Sequence, residues 1–236
     1  YDLVMFTTSL IDLRNVSFVI IVPKHLNENA GEGGIQMAPI AAPTYLTPEA
    51  YVDLERKAIT KNEYVNGEPL AMAGASFAHN FITFDTAIHL NNQLMDTECQ
   101  IASTGDLRVK VDQTESYFYP DIVVVCGEPR AEDNVFDTLL NPTLIVEVLS
   151  ASTEMYDRDE KFTHYRQIDS LQEYILISQD KVQVLRYRRD EPKWVPTEFR
   201  TLADVVPLLS NQCELPLRQV YKRVKFDNGN EVVTGN

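Results

Sequence analysis

The sequence predicts one large domain of mixed α/β class (α+β mixed), with a central β-sheet flanked by helices. The chain has 236 residues, of which 44% are hydrophobic, and that is enough to build a substantial core. Short apolar runs rich in β-branched residues, such as 121–125 and 144–149, are typical of buried strands. Helix-start signals precede longer segments with helical periodicity on both sides of these runs. A β-rich centre between helices indicates an α/β or α+β fold.

The elements follow in order from local signals. Thr47 is placed to cap a helix that has Pro48 at its first position and runs to about residue 57. Asn66-Gly67 lies between two apolar segments and predicts a β-hairpin. We then expect strands over 100–103, 107–111, 121–125, 144–149, 173–178 and 182–188, and a helix over about 158–168.

A long helix is predicted after Ser76, which is placed to cap it, through about residue 95. Its apolar residues follow helical spacing, the pattern of a helix with one apolar face. They are Phe77, Phe81, Phe84, Ile88 and Met95.

The chain divides into three parts by composition. Residues 1–36 are predicted to be an extension or an extra strand, because a glycine-rich stretch at 28–34 resembles a linker. Residues 37–226 form the main domain, and 227–236 a polar tail. The apolar run at 16–22 is too short to span a bilayer and lacks the basic flank of a signal peptide, so no membrane association is expected.

Charge and cysteine content limit the function classes. The formal charge of −14 repels nucleic acid at long range, which weighs against a general DNA-coating protein but leaves a local DNA site open. Cys99, Cys126 and Cys213 fit no zinc pattern and no disulfide framework, and Cys126 is interpreted as a small core residue. This predicts a reducing compartment, the cytoplasm.

Two strands carry a carboxylate where carboxylates are costly. Glu147 lies within the apolar run 144–149, and Asp121 begins the run after Pro120. If the strands pair, the two side chains converge and could bind Mg²⁺, with the backbone carbonyl of Val148 as a further ligand. The pattern alone leaves a buried ion pair of Glu147 with a nearby cation equally open.

Several motifs around these acids resemble the Uma family of restriction-endonuclease-like proteins, in the PD-(D/E)XK nuclease superfamily. The resemblance covers roughly residues 45–225. Its motifs are Glu63-Tyr64-Val65-Asn66-Gly67-Glu68, His79, Tyr119-Pro120-Asp121 with its strand, Glu147-Val148-Leu149-Ser150, Tyr156-Asp157-Arg158, Lys161, Tyr165-Arg166 and Glu173-Tyr174.

The resemblance implies a restriction-endonuclease-like fold and a site. Asp121, Glu147 and Lys161 are its implied catalytic residues, and Asp121, Glu147 and Val148 its implied ligands for Mg²⁺ or Mn²⁺. The superfamily lysine two residues after the acid is Leu149 here, so Lys161 of the next helix is implied to replace it. The resemblance further implies DNA as substrate and a homodimer.

Other residues are open to two interpretations. Glu63 and His79 could join the site, or be a solvated acid and a locally bonded histidine. Asp157 is expected to cap the helix that follows it, and Arg158 is expected to share the helix face of Lys161. The basic stretch at 186–189 could contact a nucleic-acid backbone or be a solvated strand end.

Three functions remain open from the sequence. The leading hypothesis is a metal-dependent endonuclease that hydrolyses DNA phosphodiester bonds. The alternatives are a non-catalytic nuclease-fold module that binds protein or nucleic acid, which Leu149 favours, and a hydrolase of small phosphate esters.

Overall fold

A computed structural model of the protein describes residues 45–151 and 153–226. The predicted extension at 1–36 and tail at 227–236 lie outside these residues. The described helices are α1 (Pro48–Glu55), α2 (Phe77–Leu94), α3 (Phe162–Tyr165) and α4 (Leu217–Val220), with a 3₁₀ turn at Asp112–Thr114 and a π-helical segment at Tyr156–Lys161. Thr47 and Ser76 cap α1 and α2 through their side chains, as predicted.

A six-stranded mixed sheet forms the centre of the fold, in the order β11-β10-β9-β8-β6-β3. Strands β8 and β9 are parallel, and the other neighbours are antiparallel. The strands are β3 (Cys99–Ser103), β6 (Ile122–Cys126), β8 (Leu144–Leu149), β9 (Glu173–Ser178), β10 (Val184–Asp190) and β11 (Lys193–Phe199). The predicted mixed sheet flanked by helices is confirmed.

A second sheet has five strands in the order β2-β1-β5-β4-β7. Its β1–β2 hairpin turns at Asn66-Gly67, as predicted, and both turn residues have positive φ. The strands are β1 (Asn62–Val65), β2 (Glu68–Ala71), β4 (Arg108–Val111), β5 (Ser116–Phe118) and β7 (Thr138–Leu139); β12 (Val205–Leu208) and β13 (Cys213–Pro216) form a separate hairpin.

The central sheet separates two apolar cores, and alternation along β8 assigns each residue to one of them. Leu144, Val146 and Val148 pack with α2 on one face, whereas Ile145 and Leu149 pack with the second sheet and α3 on the other. Because side chains alternate between faces of a strand, Glu147 points to the face that carries Leu149. A carboxylate is thus buried between the sheet and the segment that carries Lys161.

Helix α2 forms where predicted, but its spaced apolar residues are not the ones it buries. Phe77, Phe84, Ile88 and Met95 are exposed. The buried residues of α2 are Ile82, Asp85, Thr86, Ala87, Leu90 and Leu94. The face that packs on the sheet includes the small or polar residues Thr86, Ala87 and Asp85, so hydrophobicity alone could not identify it.

The helix predicted at 158–168 is wound differently at its start. Residues Tyr156–Lys161 are π-helical, and the regular turn α3 follows. In a π-helix each hydrogen bond joins residues five apart, so the turn is wider than in an α-helix. Residues four apart, such as Asp157 and Lys161, then share a face more nearly than residues three apart, such as Arg158 and Lys161. The expected shared face of Arg158 and Lys161 is therefore wrong, and Arg158 binds Glu154 instead.

Cys99 and Cys126 lie opposite each other on the neighbouring strands β3 and β6 and form a disulfide. The expectation that the cysteines form no disulfide is wrong, because spacing in the sequence gives no information about strand partners. Cys213 is a free, buried thiol. The cysteines therefore no longer support a reducing compartment. Across the described ranges 45–151 and 153–226, none of the helices combines the length and apolarity needed to cross a bilayer.

Candidate active site

Strand pairing brings the two predicted acids together. Ile122 lies opposite Val146 in the antiparallel pair β6–β8, so Asp121 and Glu147 are the next residues in register. The backbone N–H of Asp121 donates to Oε2 of Glu147 at 3.3 Å. Oδ2 of Asp121 accepts a 2.7 Å hydrogen bond from the backbone N–H of Val148. Both carboxylates are thus fixed by main-chain donors at the end of two buried strands.

Lys161 reaches Glu147 from the π-helical segment. Its Nζ lies 3.3 Å from Oε1 of Glu147, 2.8 Å from Oε1 of Glu63 and 3.0 Å from Oδ1 of Asp157. All four side chains are buried. Leu149 lies on the same face of β8 as Glu147 but is packed in the apolar core. Lys161 therefore provides the positive charge beside Glu147 that Leu149 cannot provide.

Asp157 does not cap the helix. It lies inside the π-helical segment, four residues before Lys161, and binds the ammonium group of Lys161. Glu63, on β1 of the second sheet, accepts from the backbone N–H of Tyr119 at 3.3 Å in addition to its ion pair. The hydroxyl of Tyr165 donates to Oε1 of Glu147 at 3.2 Å. Both sheets and the helical segment thus contribute to one cluster.

His79 extends the cluster from helix α2. Its Nε2 lies 2.8 Å from Oδ1 of Asp121, and both side chains are partly exposed. An ionised carboxylate can only accept hydrogen bonds, so Nε2 carries the proton in this contact. His79 is held because Ser76 caps the first turn of α2 through the backbone N–H of His79.

These residues line one open cavity of about 540 Å³. Its wall carries four carboxylates, Glu63, Asp121, Glu147 and Asp157, together with Lys161 and His79; Val148 and Tyr156 also line it. Acidic groups therefore outnumber basic groups. A negatively charged substrate would meet repulsion in this cavity unless a cation were also bound.

Burial and the neighbouring charges shift the pKa values of the cluster. Burial raises the pKa of Glu147 well above its usual range, against the lowering effect of Lys161. Burial by itself would lower the pKa of Lys161, but Glu147, Glu63 and Asp157 outweigh it and hold that pKa well above its ordinary value. Lys161 is therefore a permanent cation and not a proton acceptor. Burial likewise raises the pKa of Tyr165.

The carboxylates of the cavity suit Mg²⁺ better than a metal ion that takes all of its ligands from the protein. Within the part of the chain that the structure describes, no group of three His, Cys, Asp or Glu side chains is arranged to hold a metal ion. Mg²⁺ is usually bound by one or two carboxylates, with water and substrate phosphate completing its shell. Asp121 and Glu147 at the wall of an open, acidic cavity match that requirement.

The basic stretch on β10 takes part in the fold. Arg189 donates to the backbone carbonyls of Leu171, Arg166 and Ile168, and Arg186 donates to that of Pro207. Arg188 lies near Asp190. These contacts remove the argument for a phosphate-binding patch at this place.

Sequence reasoning missed the roles of two groups in the cluster. Asp157 and Tyr165 belong to motifs identified in the sequence, but their contacts were not predicted. For Asp157 the available signal was its spacing of four residues from Lys161, which is the spacing of an ion pair along a helix. No spacing indicates the contact of Tyr165 with Glu147, which is brought about by the packing of α3 on β8.

Comparison with known proteins identifies the family. Residues 48–218 match the model of the Uma2 family, which is described as "Putative restriction endonuclease". The chain belongs to the Uma2 family. Two relatives from Synechocystis sp. support the assignment. Protein sll1609 is 39% identical over 164 residues, 69% of this chain and 92% of the relative. Protein slr1290 is 32% identical over 193 residues, 81% of this chain and all of the relative.

A solved structure shares the fold. The crystal structure described as a "putative nuclease belonging to DUF820" from Anabaena variabilis superposes with a TM-score of 0.63 at 18% identity, over 75% of this chain and 98% of that chain. The restriction-endonuclease-like fold expected from the sequence is thus confirmed. The motifs at Asp121, Glu147 and Lys161 lie inside the region that the Uma2 model matches.

Proposed function

We propose that this Uma2 family member is a metal-dependent endonuclease that hydrolyses DNA phosphodiester bonds. One observation carries the proposal: the carboxylates of Asp121 and Glu147 converge at the end of paired strands, and Lys161 contacts Glu147 at 3.3 Å. The family description supports the nuclease class. Metal dependence and the substrate are inferred from the chemistry of the cavity.

The residues that would hold Mg²⁺ or Mn²⁺ are Asp121, Glu147 and the backbone carbonyl of Val148. A bound divalent cation lowers the pKa of water and offsets charge on phosphoryl oxygens. Asp121 is positioned for this role by the N–H of Val148, and Glu147 by the N–H of Asp121. Fixed ligands of this kind reduce the reorganisation that the reaction requires.

Lys161 would act as a fixed positive charge. Its pKa lies well above the ordinary value, so it donates hydrogen bonds and keeps its proton. It therefore orients Glu147, because the three donors of its ammonium group face Glu147, Glu63 and Asp157. Glu63 and Asp157 hold it in place.

His79 would orient Asp121 from the opposite side. The 2.8 Å contact of Nε2 with Oδ1 leaves the other carboxylate oxygen on the N–H of Val148, so that rotation of Asp121 is restricted from both ends. We also propose that the protein acts as a homodimer, which suits cleavage of two strands.

The test is nicking of supercoiled plasmid by the full chain with Mg²⁺ or Mn²⁺. We expect nicking that is lost with chelator, and losses of about 100-fold or more for Asp121→Ala, Glu147→Gln and Lys161→Gln, the range for removing one electrostatic catalytic group. Arg158→Gln is the matched control, since Arg158 lies on the same segment but binds Glu154. Equal nicking by Asp121→Ala and the unchanged chain would refute the proposal.

A non-catalytic module is the second candidate. Lys161 is surrounded by three carboxylates within 3.3 Å, as expected for a buried charge network that stabilises the fold. Calorimetry with Mn²⁺ separates the two functions. Tight binding that Glu147→Gln abolishes counts against the non-catalytic module, and undetectable Mn²⁺ binding favours it.

A further inference from the structure

Helix α2 carries a seam of residues on its solvent side that resembles the contact line of paired helices. Its members are Phe77, Phe81, Phe84, Ile88, Asn91 and Met95, whose spacings alternate between four and three residues. At about 100° per residue these side chains fall within an arc of about 80°. An alternating spacing of four and three is the repeat with which two helices pack side by side, and a single asparagine in such a seam can specify the register. We call this set the α2 seam.

The α2 seam exposes an apolar surface as large as the largest apolar patches of typical folded chains. Phe77 is 84% exposed, Phe84 56%, Ile88 42% and Met95 74%. With about 200 Å² for each fully exposed large side chain, these four residues present roughly 500 Å². That reaches the size of the largest patches on typical monomers, and it supplies more than half of the about 800 Å² that each partner buries in a stable complex.

The α2 seam also contains no charged side chain of its own, although the chain is strongly acidic. The only Asp, Glu, Lys or Arg within Phe77–Leu94 is Asp85, which is buried and paired with Arg223 and Lys222. The whole chain has a formal charge of −14, so most of its surface repels a second copy. The uncharged α2 seam is a face on which two copies can meet without that repulsion. The guanidinium of Arg223, which packs on Phe81 and Phe84, is paired with Asp85, and this pairing limits the attraction of the seam for nucleic acid.

A groove beside the α2 seam provides space for the side chains of a partner. It has a volume of about 770 Å³ and is lined by residues of α2, by Ile101 and Thr104, and by Arg223. The guanidinium of Arg223 lies 4.7 Å from the ring centre of Phe81 and 5.2 Å from that of Phe84. The two rings are thereby held in place before any partner binds, which lowers the entropy cost of association.

We propose that the α2 seam is the interface of a two-fold symmetric homodimer in which the two α2 helices pack antiparallel. The seam is symmetric about its middle, so reversing one helix places Phe84 against Ile88, Phe81 against Asn91 and Phe77 against Met95 of the other copy. A two-fold interface requires this kind of self-complementarity. Antiparallel helices also align their dipoles favourably. The proposal specifies the surface of the homodimer proposed above, and it holds whether or not the protein cleaves DNA.

The first test is the oligomeric state of the full chain by sedimentation velocity. We expect a dimer, and we expect Phe84→Glu and Ile88→Glu each to weaken self-association by about 30-fold or more, as for the loss of a central interface side chain. Leu54→Glu is the matched control, because Leu54 is also exposed and apolar but lies on α1. Circular dichroism checks that each variant is folded.

A monomeric unchanged chain would overturn the proposal, and so would a dimer that both glutamate variants leave intact. Fluorescence anisotropy of a labelled DNA duplex tests the alternative that the α2 seam binds nucleic acid. If the chain is monomeric and Phe84→Glu lowers its DNA affinity, the α2 seam is a nucleic-acid surface and the dimer is refuted.

The second test is the antiparallel register, by disulfide trapping. A mixture of Phe84→Cys chains and Ile88→Cys chains is expected to cross-link on mild oxidation, whereas Phe77→Cys chains alone are not. Cross-linking of Phe77→Cys chains with themselves, without the mixed product, would refute the antiparallel arrangement. Neither test measures nuclease activity, so failure of the dimer and failure of the proposed function are distinguishable.

Discussion

Replacing Lys161 by methionine removes the cation of the buried cluster and leaves three carboxylates without this charged partner. Glu63, Asp157 and Glu147 lie 2.8, 3.0 and 3.3 Å from its Nζ, and all are buried. Removing one partner of a buried ion pair costs about 3–5 kcal/mol, because the remaining charge is neither paired nor hydrated. We expect a loss of that size in the free energy of unfolding of Lys161→Met, out of the about 5–15 kcal/mol that a domain usually has.

The assay is urea unfolding monitored by fluorescence, for which Trp194 is the single tryptophan. Arg158→Met is the control, since its partly exposed pair with Glu154, four residues away on the same helical segment, is worth about 0.3–0.5 kcal/mol. The double variant Lys161→Met/Glu63→Gln should recover part of the loss, because it removes one of the unpaired charges. These three measurements separate the loss of charge pairing from the loss of side-chain volume.

The pH dependence of the same variant has a defined sign. Burial already raises the pKa of Glu147 in the folded state, and losing Lys161 removes the main effect that lowers it. A carboxyl whose folded pKa exceeds its unfolded value of about 4.3 loses stability as the pH rises above that value. The deficit of Lys161→Met should therefore be small at and below about pH 4.3 and grow as the pH rises above it. A total loss below about 1 kcal/mol, or a deficit that shrinks as the pH rises, would refute a charge network around Lys161.

Two further predictions concern the fold. Hydrogen bonds from Arg56, the largest contribution, hold the pKa of Asp137 well below its ordinary value. This stabilisation is present above about pH 3.9 and is lost as the pH falls. In thermal or urea unfolding, Asp137→Asn should therefore cost about 1–2 kcal/mol at neutral pH and little in acid. An equal cost at both pH values would contradict this. The Cys99–Cys126 disulfide closes a loop with a sequence separation of 27, so reduction should cost about 2–4 kcal/mol. Alkylation of the denatured, unreduced chain should modify Cys213 alone in its mass spectrum, and three modified cysteines would disprove the disulfide.

The sequence was most informative where one local rule determines the structure. Strands β8 and β9 have the predicted bounds, because a short run of apolar β-branched residues is typical of a buried strand. The hairpin at Asn66-Gly67 followed from the positive φ that both residues tolerate. Asp121 and Glu147 converge because their strands are neighbours in the sheet, which their order in the chain favoured.

The rest depended on contacts that lie far apart in the sequence or on unusual winding. Asp157 was interpreted as a cap because the sequence does not reveal a π-helical segment. The apolar periodicity of α2 predicted the helix correctly but did not show which of its faces is buried. An apolar row that faces solvent or a partner has the same periodicity as one that faces the core. The pairing of Cys99 with Cys126 required the order of strands β3 and β6 in the sheet.

The central claim is that Asp121 and Glu147 form a cation site, and a crystal of the full chain grown with Mn²⁺ tests it most directly. The anomalous signal of Mn²⁺ locates the ion independently of any assumption about activity. We predict one peak in contact with carboxylate oxygens of both residues, and its absence from crystals of Glu147→Gln. At saturating Mn²⁺, a map with no peak between Asp121 and Glu147, or with peaks only elsewhere on the acidic surface, would contradict the account.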